Sequence, residues 1–340
     1  MSPTMTDGPA IRRPTVRDVA EAAGVSIASV SRVIAGATKP VSEATRRKVI
    51  EAANRLGYTL NTSAQSLSTG RTGTVGLVVP DLGNQYFTTI AQEVVLAARE
   101  SGFYVLVADS LDATHTEPTL AHQTQLRSDA LILCSPRASA TALAGVLGVG
   151  KPVVTVNRRL TGAASVCTEV TTATAALVDS LLDQGHVALA FIGASADSEQ
   201  MQNRWRLIES RAAEVGGRSL RIDQEEADIE GAVRSAVAAG CTGLLAANDV
   251  QAAAILQALT GLGLRVPADV SVVGFDDTPL ARWVTPRLTT AHMHERQVGQ
   301  AAWAAVYGLL ADPTAITHTE FTADPVFRES VGPASLRHTS

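Results

Sequence analysis

Hydrophobic positions near the N-terminus follow a helical rhythm. Val16, Val19, Ala20 and Ala23 recur at helical spacing and predict a short amphipathic helix. Thr15 and Asp18 stand at capping-box spacing at its start, so each side chain can satisfy a free amide of the first turn. Gly24 follows where the chain must reverse; glycine enters the left-handed conformation there without steric cost. Ser26 then caps a second helix, in which Val30 and Val33 face the first and Ile27, Ala28, Ser29, Ser31 and Arg32 point outward. Ala20 is small where the two helices cross. A third capped helix runs from Ser42 to Gly57, with an apolar stripe at Val49, Ala52, Ala53 and Leu56 and a basic face at Arg46, Arg47, Lys48 and Arg55. A capped helical hairpin alone fits many globular domains. Two short helices with a polar outer face on the second, backed by a basic third, form the pattern of a helix-turn-helix headpiece.

The rhythm changes after Arg71. Short apolar runs alternate with helical stretches. The predicted strands are 75–79, 104–108, 130–133, 152–156, 189–192, 243–246 and 271–274. The predicted helices between them include 87–100, 172–184, 204–215, 229–239 and 250–259. Strand–helix alternation with near-continuous apolar strands argues for parallel α/β sheets covered on both faces. The length of this region exceeds one typical sheet domain and predicts two lobes. Ligands of open parallel sheets sit beyond the carboxyl ends of the strands. Polar residues fall there repeatedly: Asn84, Asp109, Asn157 and Arg158, Asn248 and Asp249, Asp276 and Asp277. Any one could be a loop residue or a helix cap, and capping alone accounts for Asn248 or Asp249. Together they predict a polar pocket.

Charge sharpens the division. Residues 12–71 carry ten Lys and Arg against four Asp and Glu, a net +6, whereas the whole chain is −5 and residues 72 onward carry −10. Phosphate attraction is therefore concentrated at one end of an acidic protein, as expected of a nucleic-acid-binding headpiece.

At these residues the chain resembles the LacI/GalR family of bacterial transcription regulators. The resemblance is carried by Val16-x-Asp18-Val19-Ala20-x-x-Ala23-Gly24-Val25-Ser26-x-x-Ser29-Val30-Ser31-Arg32-Val33. It continues through Leu56-Gly57-Tyr58, Asn61-x-x-Ala64-x-Ser66-Leu67 and Gly76-Leu77-x-x-Pro80-Asp81 to Pro286-x-Leu288-Thr289-Thr290, and so covers about residues 14–330. It implies three parts: a helix-turn-helix DNA-binding domain over 14–60, a hinge helix or linker over 61–71, and an effector-binding and dimerisation core over 72–335. The core would be two-lobed and periplasmic-binding-protein-like, built of doubly wound parallel sheets. One lobe would hold about 72–168 and 291–318, the other 169–290 and the C-terminal segment.

The resemblance also implies residue roles. Ile27 and Ala28 match positions that face bases in the major groove; neither side chain donates a hydrogen bond, so apolar contact with a thymine methyl is expected there. Arg32 matches an arginine that pairs with a guanine edge, a contact worth roughly 1–3 kcal/mol of discrimination. Thr15, Arg17, Ser26, Ser29 and Ser31 complete the expected DNA surface, with phosphate contacts that set register. In the hinge, Leu67 matches a residue that wedges into the minor groove, with Ala64 against the partner's hinge and Asn61 at the start. So short a helix is marginal alone in water and is expected to form on the operator. Leu60 and Gln65 depart from the family's proline and arginine. For the effector, Arg204 matches the family's binding arginine, Asn248 and Asp276 its companions, and Tyr86 and Phe87 an aromatic pair at the cleft mouth. Glu169, Leu207, Met293 and the loop 224–227 depart from the family pattern. A sugar is the expected effector ahead of a purine.

Other chemistry is sparse. Three cysteines without a CxxC read as reduced thiols in a cytoplasmic protein. His292 and His294 lack a placed third ligand, so neither metal nor cofactor is expected. Residues 1–13 have no apolar core of a secretion signal, and no run approaches the ~18 apolar residues of a membrane span. The expectation is a dimeric repressor on double-stranded DNA, controlled by a small molecule and not an enzyme. The alternative is a solute-binding protein that delivers a sugar to a transporter.

Overall fold

The computed structural model describes residues 14–34, 41–58, 71–193, 199–223 and 228–334. The chain divides into two compact units at Thr72–Gly73. In the first unit, α1 (Val16–Ala23), α2 (Ile27–Ile34) and α3 (Glu43–Leu56) pack around Val19, Ala20, Val30, Val49 and Ala52. The ends of α1 and α3 are closed by the residues the sequence pointed to. The Thr15 backbone N–H and hydroxyl both donate to Asp18 Oδ2, at 2.7 and 2.8 Å. Gly24 adopts φ 65°, and the Val25 N–H reaches back to the Ala20 carbonyl at 3.0 Å. Ser42 and Gly57 cap α3, and Arg55 donates to the Ala22 carbonyl at 3.3 Å, tying the end of α3 to α1.

The second unit holds two parallel sheets. The first has the order β11-β5-β4-β3-β1-β2, with β1 (Thr74–Val79), β2 (Tyr104–Asp109), β3 (Ala130–Cys134), β4 (Val153–Val156), β5 (Ala164–Glu169) and β11 (His318–Thr322). The other has the order β7-β6-β8-β9, with β6 (Ala188–Gly193), β7 (Arg218–Asp223), β8 (Gly243–Ala246) and β9 (Ser271–Val273). Beside it β10 (Thr290–His292) pairs antiparallel with β12 (Asp324–Val326). Both sheets reverse their order next to their first strand, between β1 and β3 and between β6 and β8. These are the switch points where a doubly wound sheet opens a crevice.

Helices cover both faces. On the first sheet lie α4 (Gln85–Glu100), α5 (Glu117–Leu126), α6 (Ala140–Leu147) and α12 (Glu295–Ala311); with the second are α7 (Thr171–Asp183), α8 (Glu199–Glu214), α9 (Ile229–Ala238), α10 (Asp249–Gly261) and α11 (Pro279–Trp283). Apolar clusters occupy both faces of each sheet. The largest joins Leu77, Ile132 and Val154 of the first to Leu189 and Phe191 of the second, so the strands read as continuous apolar runs.

Two lobe boundaries differ from the sequence expectation. The C-terminal segment stays with the first sheet through Thr322, because β11 pairs in parallel with β5 from His318↔Ser165 to Thr322↔Glu169. Residues 290–292 belong with the second lobe, because β10 is laddered to β12 there. β11 carries polar residues on a solvated edge, and β10 is only three residues, Thr-Ala-His, so neither has the apolar run that marks a buried strand. Among the described residues no helix is long and apolar enough to cross a membrane, and no group of three or more His, Cys, Asp or Glu is arranged to hold a metal ion.

Candidate DNA interface and effector cleft

The outer face of α2 is built by what its inner face buries. Val30 is fully buried and Val33 half-buried, which turns Ile27, Ala28, Ser31 and Arg32 to solvent, with Ile27 47% exposed. Arg17 and Thr15 are exposed on and before α1. Two serines have local work. The Ser29 backbone N–H donates to Ser26 Oγ at 3.1 Å, capping α2, and the two hydroxyls lie 2.9 Å apart. Ser26 and Ser29 thus order the first turn of α2, while Ile27 and Ala28 project from that turn. Asn61, Ala64 and Leu67 lie outside the described residues.

In the core, seven of the expected effector residues line one cleft: Asn84, Tyr86, Phe87, Asn157, Arg204, Asn248 and Asp276. They come from beyond β1, β4, β8 and β9 and from α4 and α8, so both sheets contribute. The cleft and its open mouth together span about 450 Å³.

Arg204 is 3% exposed. Its Nη1 donates to the Ala247 carbonyl at 2.8 Å, and its guanidinium carbon lies 3.7 Å from the centroid of the Phe275 ring. Burial lowers it to about 10; Arg137 adds to the drop and Asp276 opposes it. Asp276 is buried too, and burial lifts its carboxyl to about 6 against the pull of Arg204 and Asn84. Asn157 donates from Nδ2 to the Tyr86 hydroxyl at 2.8 Å and to Ser135 Oγ at 2.9 Å, which leaves its buried Oδ1 without a partner. Tyr86 and Phe87 meet edge to face, 5.2 Å between centroids. Ser135, Asn157 and Asp276 all adopt positive φ, at 45°, 59° and 103°. Non-glycine residues hold such conformations only where their surroundings enforce them, and these cluster at binding sites.

Buried carboxylates hold the frame behind Asp276. Asp249 accepts from the Thr278 N–H at 2.7 Å, from the Thr278 hydroxyl at 3.1 Å and from the Thr290 hydroxyl at 2.7 Å. Burial and the neighbouring Asp276 lift it to about 8. A side chain at residue 274 would collide with Asp249 Oδ1, so Gly274 is required for this approach. Burial alone would raise Asp277, but His292, Arg328 and Arg282 outweigh it and hold the carboxyl at about 2.

Two expected residues stand outside the cleft wall. Asp109 accepts the N–H groups of Leu82 (3.0 Å) and Leu111 (2.8 Å), locking the loops after β1 and β2. Arg158 donates to the carbonyls of Pro136 (3.1 Å) and Ala138 (2.5 Å). Both follow strands as expected, yet their side chains turn to neighbouring loops. Asn248 serves two ends: it lines the cleft, and its Oδ1 caps α10 by accepting from the Gln251 N–H at 2.8 Å. Sequence reading missed Ser135 and Arg137, which follow β3 and obey the same strand-end rule. It also missed Gln200 and Met201, which lie one helical turn before Arg204 on α8 and share its face.

Comparison with known proteins agrees with this architecture. Residues 15–61 match the family of bacterial regulatory proteins of lacI type, and residues 178–331 match the periplasmic binding protein-like domain. The regulator GalR of Escherichia coli K12 is 31% identical over 335 residues, spanning 95% of this chain and 97% of its own. The chain belongs to the LacI family. Among solved structures, the Lac repressor dimer bound to operator and an anti-inducer superposes with a TM-score of 0.81 at 25% identity, over 94% of this chain and all of that one. The CelR–cellobiose complex superposes with a TM-score of 0.65 at 26% identity, again over 94% of this chain and all of that one. As a LacI-family member the protein is a DNA-binding transcriptional regulator. Its core alone would equally suit a solute-binding protein; the headpiece and the curated relatives decide between them.

Proposed function

We propose that this LacI-family regulator is a repressor whose operator affinity is set by a sugar-like effector held in the cleft between the two sheets. The observation that carries this reading is the cleft: side chains from both sheets converge on it, with buried acceptors and donors that have no hydrogen-bond partner among the described residues. A ligand that satisfies both walls couples the lobes, and a coupling of about 1–3 kcal/mol between ligand and DNA suffices for control. Cellobiose in the CelR complex supports a carbohydrate in such a core. Arg32 reads a guanine, while Ile27 and Ala28 read by apolar contact. Asn61, Ala64 and Leu67 form the hinge on DNA. The cleft binds its ligand and does not turn it over.

The repressor is a homodimer, since two headpieces are needed to meet two half-sites. The outer face of α4 and the edge strand β2 supply its surface: Leu82, Val95 and Leu96 are exposed beside Val107 of β2, and Tyr104 and Leu106 are exposed on the other face of that edge strand. A second copy covers both the apolar side chains and the sheet edge.

The test uses a duplex selected from a random library by the full-length protein. Arg32→Ala lowers affinity for that duplex about 5–150-fold and leaves sugar-induced thermal shifts unchanged. Asp276→Ala keeps operator binding and removes its response to sugars in a mobility shift. An Arg32→Ala protein with full operator affinity, or an Asp276→Ala protein that still responds, overturns the assignment.

A further inference from the structure

Two guanidinium groups face the effector cleft, one from each sheet. Arg204 arrives on α8. Arg137 arrives on the loop 135–138, just past β3. That loop is clamped from two sides. The buried Glu117 carboxylate accepts the N–H groups of Arg137 (2.9 Å) and Ala138 (2.6 Å). Arg158 holds the Pro136 and Ala138 carbonyls. Residue 137 therefore cannot drift from the cleft without breaking buried hydrogen bonds. Arg137 Nη2 lies 3.1 Å from Asp112, a half-exposed carboxylate, and its Nε is buried with no hydrogen-bond partner among the described residues. Arg204 Nε is buried and unpartnered in the same way.

A buried N–H of a charged group left without an acceptor is costly, and the cost is recovered by whatever brings the acceptor. A hydroxyl offers a weak acceptor and brings a donor of its own. An oxyanion offers several acceptors, no competing donor and a full charge opposite to the guanidinium's, with a geometry that can take two N–H groups at once, whereas a hydroxyl offers the guanidinium only a dipole. Among the described residues the wall itself carries Arg137 and Arg204 against Asp276; Asp112, half in solvent, pairs with Arg137, and the Glu117 carboxylate is occupied by the N–H groups of the loop behind. Glu295, whose charge raises Asp276, is not on the wall. The acceptors that remain, Asn157 Oδ1 and the Asp276 carboxylate, are suited to ligand hydroxyls.

We infer that the effector is an acidic sugar, a polyhydroxylated molecule whose carboxylate or phosphate lodges between Arg137 and Arg204 while its hydroxyls meet Asn157 and Asp276. This rests on the effector-cleft reading above and narrows it. It also assigns Arg137 as the residue that separates acidic from neutral sugars.

The experiment titrates the full-length protein calorimetrically with matched sets: glucose, gluconate and glucose 6-phosphate; galactose, galactonate and galactose 6-phosphate; ribose, ribonate and ribose 5-phosphate. Ionic strength is held constant. In at least one set an acid binds at least ~10-fold tighter than its neutral parent. Arg137→Gln, melting within a few degrees of the unchanged protein, reduces that acid-to-neutral ratio by about 10-fold or more. Arg137→Lys, which keeps the charge, retains part of it. The carboxylate and phosphate arms identify which acid is preferred. Neutral sugars that bind as tightly as their acids overturn the inference and leave the effector cleft standing, as does an acid preference that survives Arg137→Gln. If neither acids nor neutral sugars bind, the cleft reading falls with it.

Discussion

The headpiece and the core use polar residues in opposite ways. In the headpiece the interior is a handful of valines and alanines, and the chemistry lies outside on Ile27, Ala28, Ser31 and Arg32. In the core the chemistry is itself interior: Arg204, Asp276, Asn84 and Asp249 are buried, and their hydrogen bonds are part of the packing. A surface that reads DNA needs only to be presented, so presentation depends on a small core's integrity. A cleft lined by buried charges must desolvate them, so its chemistry and its stability cannot be varied separately.

The largest expected effect attacks the headpiece interior. Val30 is fully buried between α1 and α3. Val30→Asp places a carboxylate in a core that small, at a cost of several kcal/mol, comparable with the whole stability of a domain of this size (about 5 kcal/mol). Operator binding is abolished, and the melting transition of the core, followed by near-ultraviolet circular dichroism, stays in place. A core transition that falls together with operator binding contradicts the separation of the two units.

This contrast explains what could be read from the sequence. Headpiece signals are local: Thr15 and Asp18 are three residues apart, Gly24 ends one helix, and Ser26 starts the next. Spacing alone locates them. The buried strands of the core are also legible, because β1, β3, β4, β6 and β8 are apolar runs. Five strands are not: β10 and β12 are only three residues each, and β5, β7 and β11 are polar. β7 reads Arg-Ser-Leu-Arg-Ile-Asp and β11 His-Thr-Glu-Phe-Thr, both at sheet edges where one face meets water. β5 carries Ser165, Thr168 and Glu169 within its run and adjoins one of those edges. The cleft was half legible. The rule that polar residues collect past strand ends finds Asn157 and Asp276, and equally selects Asp109 and Arg158, because which loop a side chain turns toward depends on how two loops distant in sequence settle against each other. Arg137 obeys the same rule and was passed over, since nothing local distinguishes it from an exposed loop arginine. The buried Glu117 that fixes it is twenty residues away.

A second, smaller effect tests whether buried charge in the core carries a pH signature that the headpiece lacks. Asp249 is held at about 8 in the folded protein, against an ordinary value of 3.8. The native state therefore keeps a proton that the unfolded chain releases. The contribution of this group is fully present below about pH 4 and is lost as pH rises through about 8. Asp249→Asn can keep an oxygen toward Thr278 and turn its amide toward the Thr290 hydroxyl, and it does not titrate. Urea midpoints of the core between pH 6 and 8 decline for the unchanged protein and decline less for Asp249→Asn, so the two curves converge or cross toward pH 8. Parallel curves over that range show that Asp249 is ionised in the folded state.

The smallest effect compares one kind of hydrogen bond in both regions. Thr15 caps α1 on an exposed headpiece surface, whereas Asn248 caps α10 at the edge of the cleft. Removing either cap costs about 1 kcal/mol of local stability. Thr15→Ala is read entirely in the headpiece, as a lower melting point and a lower operator affinity, with effector binding unchanged. Asn248→Ala lowers core stability by a similar amount and in addition weakens effector binding at temperatures where the core remains fully folded, because the side chain also lines the cleft. Measuring effector affinity by calorimetry at 15 °C and core stability by urea unfolding separates the two contributions. If affinity at that temperature is unchanged, Asn248 is a helix cap that happens to border the cleft.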